Sequence, residues 1–191
     1  MKIIFVSLYS FKTFPVRIFH SMALREGIDS HAVFLKNSSS NNHQPLTEKE
    51  IKLFADLVKK INPDLIGISL LAPYVVAARR LINEIKKINK IPVIVGGKYP
   101  TYAPHLALDF ADFVCKGEGE LVLLEIIKRF EKGLDFKNIQ GLWHRDENNH
   151  IVDQGQRILI QDLDKIPFPS FGDSQMYFIE NNSLAGDDPE L

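Results

Sequence analysis

Short apolar runs alternate along this chain with stretches in which hydrophobic residues recur every three to four positions. The runs lack a regular polar alternation, which predicts strands covered on both faces of a sheet. The recurring stretches predict amphipathic helices. Five strands are therefore expected, at Lys2 to Leu8, Ser30 to Leu35, Leu65 to Leu70, Pro92 to Val95 and Phe113 to Cys115.

Signals for helix starts and stops fall between these runs. A helix is predicted within Pro15 to Gly27, because proline suits a first helical turn and glycine suits a helix end. Thr47 to Glu50 forms a capping box, a threonine followed three residues later by a glutamate, at the start of the next helix. Pro73 begins another, and the last runs from about Leu121 to Glu131. Ser38 to Gln44 is predicted to be a polar surface loop.

Successive strand–helix units predict an α/β fold with a parallel sheet. We expect a flavodoxin-like, or Rossmann-like, five-stranded sheet of order 2-1-3-4-5 over residues 1–136. Beyond it, Gly141 to Arg145 and His150 to Val152 flank a polar turn, which predicts a small C-terminal β-hairpin. Arg157 to Gln161 would add an edge strand. Residues 137–171 are thus read as hairpin and linker, and residues 172–191 as a tail leading into further chain.

Two glycine turns follow neighbouring predicted strands. Gly96 and Gly97 come after the fourth strand, and Gly117-Glu118-Gly119 comes after the fifth. Ser69-Leu70-Leu71 follows the third strand in the same way. Ligands of open parallel sheets bind beyond the carboxyl ends of the strands, although glycines also serve simply to make tight turns. Together the three turns describe a wide, apolar crevice, poor in side chains, that admits a bulky nucleotide-like group.

The first turn offers an alternative ligand. Ser7, Ser10 and Thr13 are spaced like the hydroxyls of a phosphate-binding loop, so flavin mononucleotide is a second candidate. A phosphorylated receiver domain is excluded, because neither this turn nor Ser69 to Leu71 carries the carboxylates that would hold Mg²⁺ and accept phosphate. A dinucleotide-binding domain is disfavoured, because the turn lacks Gly-x-Gly-x-x-Gly.

Composition narrows the possible partners and location. The net charge of −1 gives no electrostatic basis for binding nucleic acid or an anionic membrane. No apolar run approaches the length of a membrane span. A single cysteine, Cys115, excludes an internal disulfide and favours a cytoplasmic location. Cys115 itself is predicted to be inert core, and His20 and His105 to be surface histidines.

At the turns and around them, the sequence resembles the cobalamin-binding domain at the N-terminus of B12-dependent radical SAM proteins. The resemblance runs from the third strand to the linker. It rests on five stretches: Pro63 to Ser69; the Ser-x-Leu of Ser69 to Leu71; Val95-Gly96-Gly97 with Pro100-Thr101; Asp112 to Glu120; and Gly141-Leu142 followed by Asp162 to Asp164 and Pro167 to Pro169.

The resemblance implies that the nucleotide tail of cobalamin lies between sheet and helices, with the corrin ring over the carboxyl ends of the strands. The implied cofactor-binding residues are Tyr9, Ser10, Ser69, Leu70, Leu71, Gly96, Gly97, Tyr99, Gly117, Glu118 and Gly119. Tyr99 stands where the family commonly has histidine. The first turn also lacks the family's Asp-x-His-x-x-Gly, so no histidine of this loop is available to ligate cobalt.

The resemblance also implies a larger enzyme. Radical SAM enzymes bind a [4Fe–4S] cluster through three cysteines, and this chain has one. The cluster, S-adenosylmethionine and the catalytic barrel would therefore follow beyond Leu191, and the barrel would be the partner of this domain. A small-molecule substrate and a methyl-transfer or ring-forming reaction are implied for the parent, whereas the chain itself carries no catalytic machinery or metal site. The alternative from another class is an interaction domain that has lost the cofactor.

Overall fold

A mostly parallel β-sheet forms the centre of the structure, a computed structural model that describes residues 1–37, 44–88, 90–173 and 175–190. Within these residues the sheet has nine strands in the order β7-β6-β5-β4-β3-β1-β2-β8-β9. Their bounds are β1 Lys2–Leu8, β2 Asp29–Leu35, β3 Leu65–Ser69, β4 Val93–Gly96, β5 Phe113–Cys115, β6 Leu142–Arg145, β7 Ile151–Val152, β8 Met176–Glu180 and β9 Ser183–Ala185.

Six helices lie on the two faces of this sheet in the described part of the chain. They are α1 Phe14–Arg25, α2 Glu48–Ile61, α3 Val75–Ile88, α4 Lys98–Tyr102, α5 Pro104–Ala107 and α6 Glu120–Glu131, with single 3₁₀ turns at Ala72–Tyr74 and Leu163–Lys165. The capping box predicted for α2 is confirmed. The Glu50 backbone N–H donates to Thr47 Oγ1 at 3.1 Å, and the Thr47 N–H donates to Glu50 Oε2 at 2.9 Å.

The five predicted strands are confirmed, and they lie in the predicted order 2-1-3-4-5. All four pairings among them are parallel. Ser7 of β1 pairs with Ser69 of β3, which pairs in turn with Gly96 of β4. The carboxyl ends of these three strands are therefore level, and the turns that follow them lie side by side.

The number of strands was underestimated, because both edges of the five-stranded core are extended. At one edge the predicted hairpin is confirmed, with β6 antiparallel to β5 and β7 antiparallel to β6. At the other edge β8 adds parallel to β2, and β9 turns back along β8. Two strands of the sheet, β8 and β9, thus lie within the predicted tail. Strand β2 is buried almost throughout, and the buried Met176, Phe178 and Ile179 cover an edge that would otherwise be open.

Two further expectations were wrong. Residues 157–160 form no strand, because their polar groups bond to α6 and its preceding turn instead. Arg157 Nη2 lies 2.6 Å from Glu125 Oε2, and the Ile160 N–H donates to Glu118 Oε2 at 2.8 Å. His20 is fully buried rather than on the surface, with its Nδ1 2.8 Å from Ser30 Oγ.

Most of the predicted polar loop, Ser38 to Gln44, lies outside the described residues, of which only Gln44 is part. Division of the chain at residues 136 and 171 stays a prediction. Among the described residues, no helix has both the length and the apolar character needed to cross a bilayer.

Candidate cofactor-binding site

A cavity of about 300 Å³ opens between the sheet and the helices α1 and α6. Strands β1, β3, β4 and β5 provide its floor, and the glycine turn before α6 provides its rim. Side chains of the two helices form its walls. The lining consists of Phe5, Pro15, Val16, Phe19, Leu65, Gly67, Ile68, Ser69, Ile94, Gly96, Gly97, Cys115, Gly117, Glu118, Gly119, Glu120, Val122, Leu123 and Ile126.

Small residues of β3 and β4 leave space above the floor of the cavity. Gly67 of β3 lies between Phe5 of β1 and Ile94 of β4, and Ser69 lies beside Gly96. A Cβ atom added to Gly67 would lie 3.2 Å from Phe5 Cδ1, which is tighter than ordinary van der Waals contact. Gly67 therefore leaves room both for the phenylalanine ring and for the cavity above it.

The turn after β4 is fixed by its backbone. Gly97 has φ = +106°, a conformation that L side chains rarely adopt, and a Cβ atom there would lie 3.0 Å from the Leu70 carbonyl oxygen. That same carbonyl accepts a hydrogen bond from the Tyr99 N–H at 3.2 Å, while the Leu70 N–H donates to the Gly96 carbonyl at 2.8 Å. Glycine at position 97 is thus required by the turn itself, as well as being part of the cavity lining.

The aromatic side chains of Phe19 and Phe5 lie opposite the second glycine turn, Gly117-Glu118-Gly119. Phe19 of α1 stacks on Phe5 with ring centroids 5.8 Å apart. A Cβ atom at Gly119 would lie only 2.9 Å from Phe19 Cζ. The absence of a side chain at Gly119 therefore lets α6 begin directly against the phenylalanine ring.

Three ionisable side chains line this otherwise apolar cavity. Burial raises the pKa of the Cys115 thiol to about 12, with the nearby Glu120 adding to the effect. Burial also raises the pKa of the Glu120 carboxyl, an effect that hydrogen bonding to its own backbone opposes. Glu118 is exposed and accepts the hydrogen bond from Ile160 described above. No lysine or arginine of the described residues belongs to the lining.

Six of the eleven residues predicted to bind the cofactor line the cavity together: Ser69, Gly96, Gly97, Gly117, Glu118 and Gly119. The other five lie elsewhere around the carboxyl edge of the sheet. Leu70 is fully buried in the core on the opposite face, and Tyr9 packs there as well, stacked on Tyr74 at 4.6 Å. Leu71 is 43% exposed, and Tyr99 is half-buried against the same core. Ser10 contributes its backbone to the first turn.

Two of the three hydroxyls of the first turn, those of Ser7 and Thr13, bond to the turn itself. Ser7 Oγ lies 2.7 Å from both the Ser10 carbonyl and Thr13 Oγ1, and Thr13 Oγ1 lies 3.2 Å from the same carbonyl. Because these groups stabilise the loop, they are not arranged as free donors for a phosphate. This geometry disfavours the flavin mononucleotide alternative.

Sequence reasoning missed three residues that shape the cavity: Gly67, Phe19 and Glu120. Gly67 carried a readable signal, since an isolated glycine inside a strand marks close approach of a ligand or another chain segment. Phe19 falls within the helix predicted at Pro15 to Gly27, and no local pattern shows which residues this side chain contacts. Glu120 was indistinguishable from any other acidic residue in the first turn of a helix.

A comparison with protein families gives the ligand class. The B12 binding domain family matches residues 9–127, which is more than half of the chain. This chain belongs to the B12-binding domain family. The matched residues include strands β2 to β5, α1, most of α6 and the entire cavity lining except Phe5. The family predicted from the sequence is confirmed.

Two curated relatives match part of the chain. An uncharacterized methyltransferase of Pyrococcus horikoshii is 35% identical over 121 residues, which are 61% of this chain and 26% of the relative. The anaerobic magnesium-protoporphyrin IX monomethyl ester cyclase of Rubrivivax gelatinosus is 25% identical over 134 residues, 66% of this chain and 23% of the relative. The chain thus spans about a quarter of the length of these relatives.

Two solved structures share the fold. The cobalamin-dependent S-adenosylmethionine radical enzyme OxsB, solved with aqua-cobalamin and S-adenosylmethionine, superposes with a TM-score of 0.72 at 16% identity, over 89% of this chain and 24% of that one. The radical S-adenosylmethionine methyltransferase TsrM of Kitasatospora setae was solved with cobalamin and a [4Fe-4S] cluster. It superposes with a TM-score of 0.65 at 19% identity, over 88% of this chain and 31% of that one. The predicted fold class is confirmed.

Proposed function

We propose that this chain binds cobalamin, with the nucleotide tail in the cavity and the corrin ring over the carboxyl edge of the sheet. The observation that carries the proposal is the cavity itself, whose floor at Gly67, Ser69 and Gly96 is almost free of side chains. An apolar slot between a sheet and two helices fits a flat aromatic base such as the benzimidazole of the tail. Phe19 and Phe5 offer it aromatic faces.

The carboxyl edge of the sheet suits a large flat ring. Phe14, Leu71 and Tyr102 follow the carboxyl ends of β1, β3 and β4, and their side chains are 58%, 43% and 86% exposed. All three follow strands at this edge of the sheet, where exposed apolar side chains are available to contact a ligand. When bound, cobalamin supplies a cobalt centre that can carry a methyl group. The residues of this chain hold and orient it, and none of them is proposed to ligate cobalt.

We further propose that the domain serves a B12-dependent radical SAM enzyme, as a methyltransferase or a ring-forming enzyme acting on a small molecule. The [4Fe–4S] cluster, S-adenosylmethionine and the barrel that receives the corrin would belong to the remainder of the parent protein. Support comes from the motifs quoted above and from relatives of which this chain spans about a quarter. The relatives' names include both a methyltransferase and a cyclase.

A visible-absorption titration with hydroxocobalamin tests the binding proposal. We expect saturable binding by the 191-residue chain and binding at least about tenfold weaker, or about 1.4 kcal/mol, for Gly67→Val, whose side chain fills the cavity floor. Gly67 is a better test position than Gly97, because its φ is not positive and a substitution does not strain the turn. Gly186→Val is the matched control, since a Cβ atom there meets nothing within 4 Å.

Other outcomes of this titration contradict the proposal. Equal affinity of the wild-type chain and Gly67→Val would place cobalamin outside the cavity. Binding of flavin mononucleotide without cobalamin would favour the flavin alternative. If a folded chain, checked by circular dichroism, bound neither ligand even within its full-length parent, the domain would be an interaction module that has lost its cofactor.

A further inference from the structure

One polar atom of the cavity lacks a partner. Five buried side-chain nitrogen or oxygen atoms have no hydrogen-bond partner among the described residues: His20 Nε2, His31 Nδ1, Glu120 Oε2, Trp143 Nε1 and His144 Nδ1. Of these, only the Glu120 atom belongs to a residue that lines the cavity. A buried polar atom that remains unpaired is costly, so natural proteins almost always supply a partner for it.

Backbone N–H groups of Gly119 and Glu120 favour the charged carboxylate of Glu120, yet its Oε2 atom has no hydrogen-bond partner among the described residues. Glu120 stands at the first position of α6, where Val122 and Leu123 are its apolar neighbours in the lining. Among ionisable groups, Glu120 has Glu118 in the same turn and Cys115 on β5, while Arg157, the cation that acts on Cys115, is bonded to Glu125. The described residues of α1 that line the cavity, Pro15, Val16 and Phe19, carry no charge. The missing partner is therefore expected to come with the ligand.

The chemistry of the site limits what that partner can be. Two carboxyl groups at the rim, Glu118 and Glu120, disfavour an anionic group such as the phosphate of the tail. A neutral hydrogen-bonding group is favoured, and the nucleotide tail carries two kinds, ribose hydroxyl and base nitrogen. The corrin ring, by contrast, is expected at the carboxyl edge of the sheet, outside the cavity.

We infer that Glu120 forms a hydrogen bond with the nucleotide tail of the bound corrinoid, at a ribose hydroxyl or at the free base nitrogen, and thereby selects complete cobalamin over corrinoids that lack the tail. This inference rests on the proposed function, since it assigns a role within the same cavity. An ionised Glu120 accepts a hydrogen bond from the hydroxyl. A protonated Glu120, which its raised pKa favours, donates one to the base nitrogen.

The experiment compares two ligands, hydroxocobalamin and aquocobinamide, which lacks the nucleotide. Dissociation constants are measured by visible absorption for the wild-type chain, Glu120→Ala, Glu120→Gln and Glu131→Ala. Glu131 is the matched control, because it is an exposed glutamate at the other end of the same helix. Circular dichroism and thermal melting establish that each variant is folded.

We expect the wild-type chain to prefer cobalamin, and Glu120→Ala to lose at least about tenfold of that preference, a change of about 1.4 kcal/mol, with cobinamide affinity unchanged. Glu120→Gln is expected to retain part of the preference, because its amide both donates and accepts. Glu131→Ala is expected to match the wild type.

Failure of the inference is distinguishable from failure of the proposed function. If the wild type prefers cobalamin over cobinamide and Glu120→Ala keeps the same preference, only the role of Glu120 would be overturned. The cavity would still hold the tail. A wild-type chain that binds no corrinoid even within its full-length parent, or that binds both ligands equally, would overturn the proposed function and this inference with it.

The pH dependence identifies which group of the tail is bound. If a protonated Glu120 donates to the base nitrogen, the preference for cobalamin falls as the pH rises through the raised pKa of Glu120. If an ionised Glu120 accepts from the hydroxyl, the preference persists at high pH. In either case the preference of Glu120→Gln for cobalamin is expected not to change with pH in this way. If the wild type titrates and Glu120→Gln shows the same pH profile of this preference, the assignment to the Glu120 carboxyl would be overturned.

Discussion

The two faces of the sheet are built from the same strands but differ in side-chain size. On the face covered by α2 and α3, called here the filled face, the alternate residues of β1, β3, β4 and β5 are large and apolar: Ile4, Val6, Leu8, Ile66, Ile68, Val93, Val95 and Val114, continued by Leu70 directly after β3. On the face covered by α1 and α6, called here the cavity face, the large residues Leu65 of β3 and Ile94 of β4 give way toward the carboxyl ends to Gly67, Ser69 and Gly96.

This difference separates stability from binding within single strands. Successive residues of a strand point to opposite faces, so one set can be selected for packing and the other for the space that a ligand needs. In β3, Ile66 and Ile68 are almost fully buried, whereas Gly67 and Ser69 between and beside them remain half-exposed to the cavity. A strand that reads as a continuous apolar run thus contains an alternation in size rather than in polarity.

The largest expected effect is on the filled face. Phe54 of α2 is fully buried there, and Phe54→Ala is expected to lower the free energy of unfolding by about 4 kcal/mol, because it removes an aromatic ring from close-packed surroundings. Phe19→Ala, on the cavity face, is expected to cost only about 1–2 kcal/mol, because its ring is partly exposed beside existing empty space. Urea denaturation measures both values. Equal losses would show that the two faces are packed alike.

A buried ion pair holds α1 on the cavity face. Arg17 is fully buried, and its Nη1 and Nη2 donate to the two carboxylate oxygens of Asp188 at 2.7 and 3.1 Å. Its guanidinium also donates to the Phe11 and Ser170 carbonyls and lies 4.1 Å from the centre of the Phe171 ring. The segment after the hairpin is thereby joined to the first turn. The ion pair thus adds a charged contact to the apolar packing of the cavity face.

Asp188→Asn is expected to lower the free energy of unfolding by about 3 kcal/mol at neutral pH, because it leaves the Arg17 charge buried without a counter-charge. This loss of free energy is at the low end of the range for breaking a buried ion pair, since Arg17 keeps the Phe11 and Ser170 carbonyls as acceptors. Urea denaturation measures it, with Asp187→Asn at the adjacent, exposed position as control. A loss below about 1 kcal/mol, the range of an exposed pair, would contradict the importance of burial.

The same pair predicts a dependence on pH. Burial alone would raise the pKa of the Asp188 carboxyl, but hydrogen bonds from Arg17, Glu190 and Gly172 outweigh it and lower this pKa below its ordinary value. Above the ordinary pKa of aspartate, the pair therefore makes its full contribution to the free energy of unfolding. This contribution disappears as the pH falls through the lower pKa of the folded state. Asp188→Asn is expected to lose this part of the acid-side dependence.

The parallel core was predictable because its signals are local. Buried strands, the capping box at Thr47 and the glycine after α1 each follow from a few neighbouring residues. Strand β8 was not predicted, because Met176 to Glu180 has a strand-like pattern for only five residues and its partner β2 lies more than 140 residues earlier. Its pairing depends on tertiary contacts, including the Arg17–Asp188 pair, that no local pattern reveals.

The candidate site was half predictable for a related reason. Glycine turns at the ends of β4 and β5 are visible in sequence, and their residues do line the cavity. The orientation of side chains around them depends on which face a residue occupies. Leu70 follows Ser69 directly, yet lies in the core of the filled face. Phe19 joins the site only because α1 crosses Phe5 and Gly119.

The smallest expected effect concerns Cys115, the ionisable side chain of the cavity floor. Because burial raises its pKa to about 12, almost no thiolate is present at pH 8, and only 6% of the residue is exposed. Iodoacetamide at pH 8 is therefore expected to leave the native chain unmodified, with rapid alkylation after addition of urea, as mass spectrometry would show. Cys115→Ala is expected to change the free energy of unfolding by only about 1 kcal/mol. Rapid alkylation of the native chain would mean that the reagent reaches Cys115 in the strand layer beneath the cavity. Protection would show that the floor of the cavity is closed to the reagent. The cavity would then offer space for a ligand without a reactive nucleophile.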